Sequence, residues 1–319
     1  MDQKGYVMAG TSFLLLIPVI LISVSLINFF QGENEIISQS IHSEKVSFAA
    51  GDIKRNIPIL AREAMLNISL SLIDDNKTIN NSTESIKTQL QLQINDLTAT
   101  YNNQNINVIC NVDSIETSPH DPFLIEFDFS LNIKTDNLKH EEKLSRLVSI
   151  EGMPDPLPFL KCRSYGSINH DNTRIFYGTS LSNYLESKNM DNSSYYENAS
   201  SPFIIKKCPY EPYQSHGSNE TMKNCQSNGF YHYSKDGSCY LCRLESKETC
   251  EHFGLEVFLQ PVPVSNSNYS IIIDGPCSSD HVIFGIAPYT GHSLVYDIKN
   301  ETVFFLFLDE GHGVKYGIN

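Results

Sequence analysis

Residues Tyr6–Phe30 read YVMAGTSFLLLIPVILISVSLINFF, twenty-five positions without a single charge. At about 1.5 Å of rise per residue, such a run is long enough as a helix for a hydrocarbon core of roughly 30 Å. Lys4 precedes it, and the first charges after it are Glu33 and Glu35. The positive-inside bias then predicts a single-pass cell-membrane protein with residues 1–5 cytoplasmic, a span at 6–30 and the bulk of the chain extracellular. A cleaved secretory signal is the competing reading. It fits less well, because signal cores are about 7–15 residues long and Ser23-Val24-Ser25 makes a poor cleavage site.

Downstream of the run, apolar positions recur at helical spacing. Ile37, Ile41 and Phe48 form one stripe, and Ile53, Ile57, Leu60, Ala64 and Ile68 form another. This predicts an amphipathic stalk from Gln31 to Asp74, bent or broken near Pro58. A second helix is expected over Thr83–Thr100, with Ile86, Leu90, Ile94 and Leu97 on one face. The helical region as a whole is assigned to residues 31–104.

The period then changes. Ile106–Val112 and Phe123–Ile133 alternate between apolar and polar, as half-buried strands do, and Leu147–Ile150 is a further candidate. Pro154, Pro156 and Pro158 predict a rigid corner with neither helix nor central strand. The last seventy residues read as strands at Leu255–Pro261, Tyr269–Asp274, His281–Ala287, Ser293–Ile298 and Thr302–Leu308, separated by turn residues. The expected fold class is α+β: a transmembrane helix continuing into a stalk helix, followed by a disulfide-rich antiparallel β ectodomain over 105–319 with a subdivision near 160.

The chain carries eight cysteines: Cys110, Cys162, Cys208, Cys225, Cys239, Cys242, Cys250 and Cys277. An even count beyond an apolar anchor predicts disulfides, with the connectivity open. Nine Asn-x-Ser/Thr acceptor sites lie in the same region, at Asn67, Asn76, Asn80, Asn81, Asn192, Asn198, Asn219, Asn268 and Asn300. Those outside a membrane are glycosylation candidates. The net charge is −14 and the basic residues are scattered, which excludes the basic stripe that nucleic-acid binding needs.

Two constellations bear on chemistry. Cys239-Tyr-Leu-Cys242 followed by Cys250-Glu-His252 puts three thiols and an imidazole close together in sequence, a set that tetrahedral zinc accepts. Oxidation to disulfides competes with that reading and is preferred here, and a redox-active C-x-x-C would need a thioredoxin-like context that is lacking. Asp280-His281 and Asp309-Glu310-Gly311-His312 place carboxylates beside imidazoles, yet no nucleophile elbow or H-E-x-x-H motif accompanies them. Gly311-His-Gly313 lacks the Lys-Ser/Thr of a phosphate loop. No cofactor and no catalytic residue is predicted.

Lys4-Gly5 ahead of an uninterrupted apolar helix, a stalk and a β-rich head resembles archaeal type IV pilin-like proteins. The Glu151–Leu157 corner and the His312–Gly317 tail look like pilin-like surface proteins of methanogens. The resemblance implies peptidase cleavage after Gly5, leaving Tyr6 as the first mature residue, and packing of the apolar helix against other subunits or copies of the chain. Tyr6 and Gly10 stand where pilins often carry Gln and Glu. The implied function is a pilin-like or adhesin-like surface protein acting by assembly or binding. The rival is a membrane-tethered extracellular hydrolase of cell-surface polymers with its site among His281, Asp309 and His312.

Overall fold

The computed structural model describes residues 3–102, 106–135, 138–190, 193–210, 225, 228–260, 263–266, 270–273, 276–285, 292–297 and 303–308. Two compact units share the chain. The first comprises Met1–Arg55, Asp96–Cys110 and Leu131–Glu142, and the second Asn56–Asn95, Asn111–Ser130 and Lys143–Asn319.

Helix α1 runs from Gln3 to Asp74 and α2 from Ser82 to Asn102. The expected membrane span is corrected: among the described residues, no helix is long and apolar enough to cross a membrane. The expected single-pass membrane anchor is corrected with it. The stalk is corrected too, because the C-terminal half of α1 is a core element: Ala49, Ile53, Ile57, Ala61, Ala64, Met65 and Leu72 are all fully buried. Pro58 does not break the helix, which passes through it.

Within the second unit, side chains tie α1 to the chain at residues 149–154. Arg62 donates to the carbonyls of Ser149 and Glu151, at 2.5 Å each, and the Ser69 hydroxyl donates to Pro154 O at 3.0 Å. The end of α1 is capped from a distance, since Arg163 donates to the carbonyls of Leu72 and Lys77 at 2.9 Å each. A cation there meets both the orphan carbonyls and the negative end of the helix dipole. At the start of α2, the Asn81 carboxamide oxygen accepts from the Glu84 N–H at 3.0 Å, an N-cap bond.

Strands β1 (Asn107–Thr117), β2 (Leu124–Lys134) and β3 (Lys139–Ser149) form a three-stranded sheet in that order. In β2 the alternation is strict, with Ile125, Phe127, Phe129, Leu131 and Ile133 buried and the intervening residues half-buried. β3 is far longer than Leu147–Ile150 because its first half is Lys139-His-Glu-Glu-Lys143, an exposed edge whose charges hide the strand period while discouraging further pairing.

The proline corner also needs correction. Leu157–Cys162 is a short helix, α3. Pro156 stands at its N-cap and Pro158 in its first turn, where a missing N–H costs nothing. Around α3 lie β4 (Asn169–His170), β5 (Arg174–Phe176), α4 (Ser180–Ser187) and β6 (Ser200–Pro202). Leu157, Phe159, Cys162, Ile175, Tyr177, Leu181, Leu185, Ile283 and Phe284 join in one hydrophobic cluster.

Next come β7 (His232–Ser234), α5 (Tyr240–Leu244), β8 (Gly254–Glu256) and β9 (Phe258–Leu259), then β10 (Pro263–Asn266), β11 (Ser270–Ile273) and β12 (Pro276–Ser279). The chain ends its described course in α6 (Asp280–Gly285), β13 (His292–Asp297) and β14 (Val303–Leu308). α6 replaces the strand expected at His281–Ala287, since a short apolar run does not by itself distinguish helix from strand. The last sheet has the order β13-β14-β12-β9, and its β12–β14 pairing is parallel, not antiparallel. Helices and small sheets are thus mixed along the chain, in place of a helical stalk and an all-antiparallel head.

Candidate metal centre

The centre is assembled by two short segments that glycine lets approach closely. β7 pairs with β8 antiparallel, from His232 opposite Glu256 to Ser234 opposite Gly254. The Leu255 N–H donates to Ser238 O at 3.0 Å. A Cβ on Gly237 would sit 2.1 Å from Leu255 O, and one on Gly254 would sit 2.1 Å from Gly237 O. Only glycine fits at either place, and this contact sets the chain just before Cys239 against the chain just after His252.

Cys239 occupies the N-cap position of α5 in an extended conformation, and Cys242 lies within that helix. The Cys239 N–H donates to Cys250 Sγ at 3.2 Å. His252 Nδ1 stands 3.7 Å from Cys239 Sγ and 3.6 Å from Cys242 Sγ. All four donor atoms of Cys239, Cys242, Cys250 and His252 lie within 4.8 Å of one another. Cys239 and Cys242 are buried, Cys250 is half-buried and His252 forms the exposed edge. Hydrogen bonds from the Cys239 and Cys242 thiols hold the Cys250 thiol far below its ordinary range, and Cys242 is pushed up by its bond to Cys239.

A second cluster brings together Cys208, Cys225 and His232, all buried, with donor atoms likewise within 4.8 Å. The Cys208 and Cys225 sulfurs are 3.3 Å apart, beyond the 2.03–2.05 Å of a disulfide. Among the described residues no two sulfurs stand at bonding distance, which corrects the disulfide-rich expectation. Cys162 sits in the hydrophobic cluster, where burial pushes its thiol far up. Cys110 is buried on β1, and the Cys277 side chain lies outside the described residues.

The other expected sites are scattered. Lys4, Gly5 and Tyr6 belong to the α1 backbone, and their side chains lie outside the described residues. Of the glycosylation candidates, Asn67, Asn76, Asn80, Asn81 and Asn198 are exposed, while Asn192, Asn219, Asn268 and Asn300 lie outside the described residues. Asp309 and His312 lie outside the described residues too. His281 is buried on α6, with Nδ1 3.5 Å from Glu256 Oε2 and 3.9 Å from Asp280 Oδ1.

One buried group went unread in the sequence. Arg243, next to Cys242, is fully buried and donates through Nε to Asp155 Oδ1 at 3.0 Å. Its Nη2 lies 2.5 Å from both Asp155 Oδ2 and Asp280 Oδ2. The Tyr231 hydroxyl donates to Asp155 Oδ2 at 3.0 Å. Burial alone would lower the guanidinium, but the two carboxylates outweigh it and hold Arg243 charged, well above its ordinary range. The available signal was Asp155 itself, a charge fixed between two prolines.

No protein family, curated protein or solved structure matches this chain.

Proposed function

We propose that the protein works by assembly and binding rather than by catalysis, with the N-terminal part of α1 as its assembly surface. The observation that carries this is uncovered apolar surface on α1 in the first unit, where residues 16–30 are exposed at every position and the exposed Ile41 and Phe48 continue it. Val19, Phe30 and Ile41 recur every eleven residues and are 60%, 58% and 48% exposed, and Phe48, seven residues on, is 65% exposed. Eleven residues make three turns plus about 20°, so such a repeat keeps one seam on one side of a helix. Large apolar surfaces left open mark sites of interaction with another protein or a membrane. Helix-to-helix packing of this kind is also what the resemblance to pilin-like subunits implies.

The hydrolase reading has less support. His281 is 3% exposed. A cavity of about 460 Å³ in the second unit is lined by Ile73, Asp74, Phe159, Arg163 and His170 rather than by His281. Its Arg163 is already committed to capping α1.

Sedimentation of the whole protein tests the assembly reading. The wild type should form multimers, and Phe30→Lys/Ile41→Lys/Phe48→Lys should sediment as a monomer with an unchanged far-ultraviolet circular dichroism spectrum. A wild type that remains monomeric at high micromolar concentration would sink the proposal.

A further inference from the structure

We propose that Cys239, Cys242, Cys250 and His252 bind one structural Zn²⁺. The first support is distance. With Zn–S near 2.3 Å and Zn–N near 2.0–2.1 Å, tetrahedral angles place sulfur about 3.6 Å from nitrogen and sulfur about 3.8 Å from sulfur. The two sulfur–nitrogen separations here are 3.7 and 3.6 Å. All four donor atoms lie within 4.8 Å of one another, close enough to share one ion.

The second support is the donor set. Three thiolates and an imidazole in a tetrahedron suit zinc, whereas hard cations take oxygen ligands. Four protein donors close the coordination sphere and leave no position for water or substrate, which marks a structural rather than a catalytic site. On binding, three thiols release their protons to solvent, His252 ligates through neutral Nδ1, and no sulfur changes oxidation state. The site then carries one net negative charge. The Cys239 amide already donates to Cys250 Sγ.

The third support is what the ion would hold. Cys239 and Cys242 belong to the α5 turn, while Cys250 and His252 lead into β8. Arg243, one residue past Cys242, reaches the buried Asp155 and Asp280. Glu245, two residues further, accepts from the Ser82 N–H at 2.7 Å and its hydroxyl at 2.8 Å, at the start of α2. One ion would therefore fix both the buried charge cluster and the α2 N-terminus.

The test is metal content of the whole protein, purified reduced and without chelator. The wild type should hold one zinc equivalent more than Cys242→Ser or Cys250→Ser, while Cys208→Ser should keep that equivalent. Cobalt reconstitution should give the strong d–d bands and thiolate charge-transfer absorption of a tetrahedral site. Because the serine variants could fail to fold, His252→Cys serves as a second probe. It keeps four donors and should retain the metal with a shifted cobalt spectrum. A folded wild type with no metal and every thiol open to alkylation would overturn the proposal. So would a non-reduced peptide map that joins any two of Cys239, Cys242 and Cys250.

Discussion

Arg243 carries the largest concentration of buried charge among the described residues. Its guanidinium and both partner carboxylates are at 0% side-chain exposure, and removing one member of such a set costs more than the set contributes, because the remaining charges stay desolvated. Arg243→Leu leaves Asp155 and Asp280 facing each other without their cation. The expected loss is about 3–5 kcal/mol, read as a lower urea midpoint with an unchanged slope. Asp155→Asn should cost less, since Asp280 still faces the arginine. This residue was not legible in the sequence, where it is an unmarked basic position between Cys242 and Leu244. Cys239, Cys242, Cys250 and His252 were legible as a set, because their spacing is local. The choice between metal and disulfide was not, since it depends on separations that only the fold fixes.

At the scale of elements, a hydrogen bond from the Tyr101 hydroxyl to the Asp52 carboxylate links α1 and α2 within the first unit. Burial, reinforced by that bond and by the Asp52 charge, raises the Tyr101 phenol to about 12. In the unfolded chain it titrates near 10. The folded state thus holds this proton more tightly, so the stabilisation is complete below about pH 10 and is lost as pH rises through about 12. Tyr101→Phe should cost roughly 1–2 kcal/mol near neutrality and should flatten the decline between those two pH values, as measured by chemical denaturation across an alkaline series. The elements with a plain period were legible: β2 has its five inward residues as expected, and Ile86, Leu90 and Ile94 on α2 are fully buried. Those whose period is masked were not. The charged first half of β3 looks like loop, and the proline corner looks unable to start α3 although a first turn tolerates proline. The Tyr6–Phe30 run was misleading in a different way, since apolarity and length alone do not separate a membrane span from another kind of apolar helix.

For the whole molecule, net charge and apolar surface act against each other. The chain carries −14, so copies approaching one another repel. The α1 face proposed for assembly is apolar, and nothing in Val19, Phe30, Ile41 or Phe48 depends on charge pairing. The screening length falls from about 30 Å at 0.01 M salt to about 8 Å at 0.15 M, so added salt removes the repulsion while leaving the apolar attraction intact. Sulfate strengthens apolar burial further by exclusion from the surface. Self-association through α1 should therefore grow with ionic strength, and more with sulfate than with chloride at equal ionic strength. An interface built on the ion pairs of this surface, such as Lys139–Glu141 or Lys54–Glu142, would weaken over the same range. Sedimentation velocity at low and high salt separates the two, and multimers that dissociate as salt is added would assign assembly to charged groups instead of to the exposed face of α1.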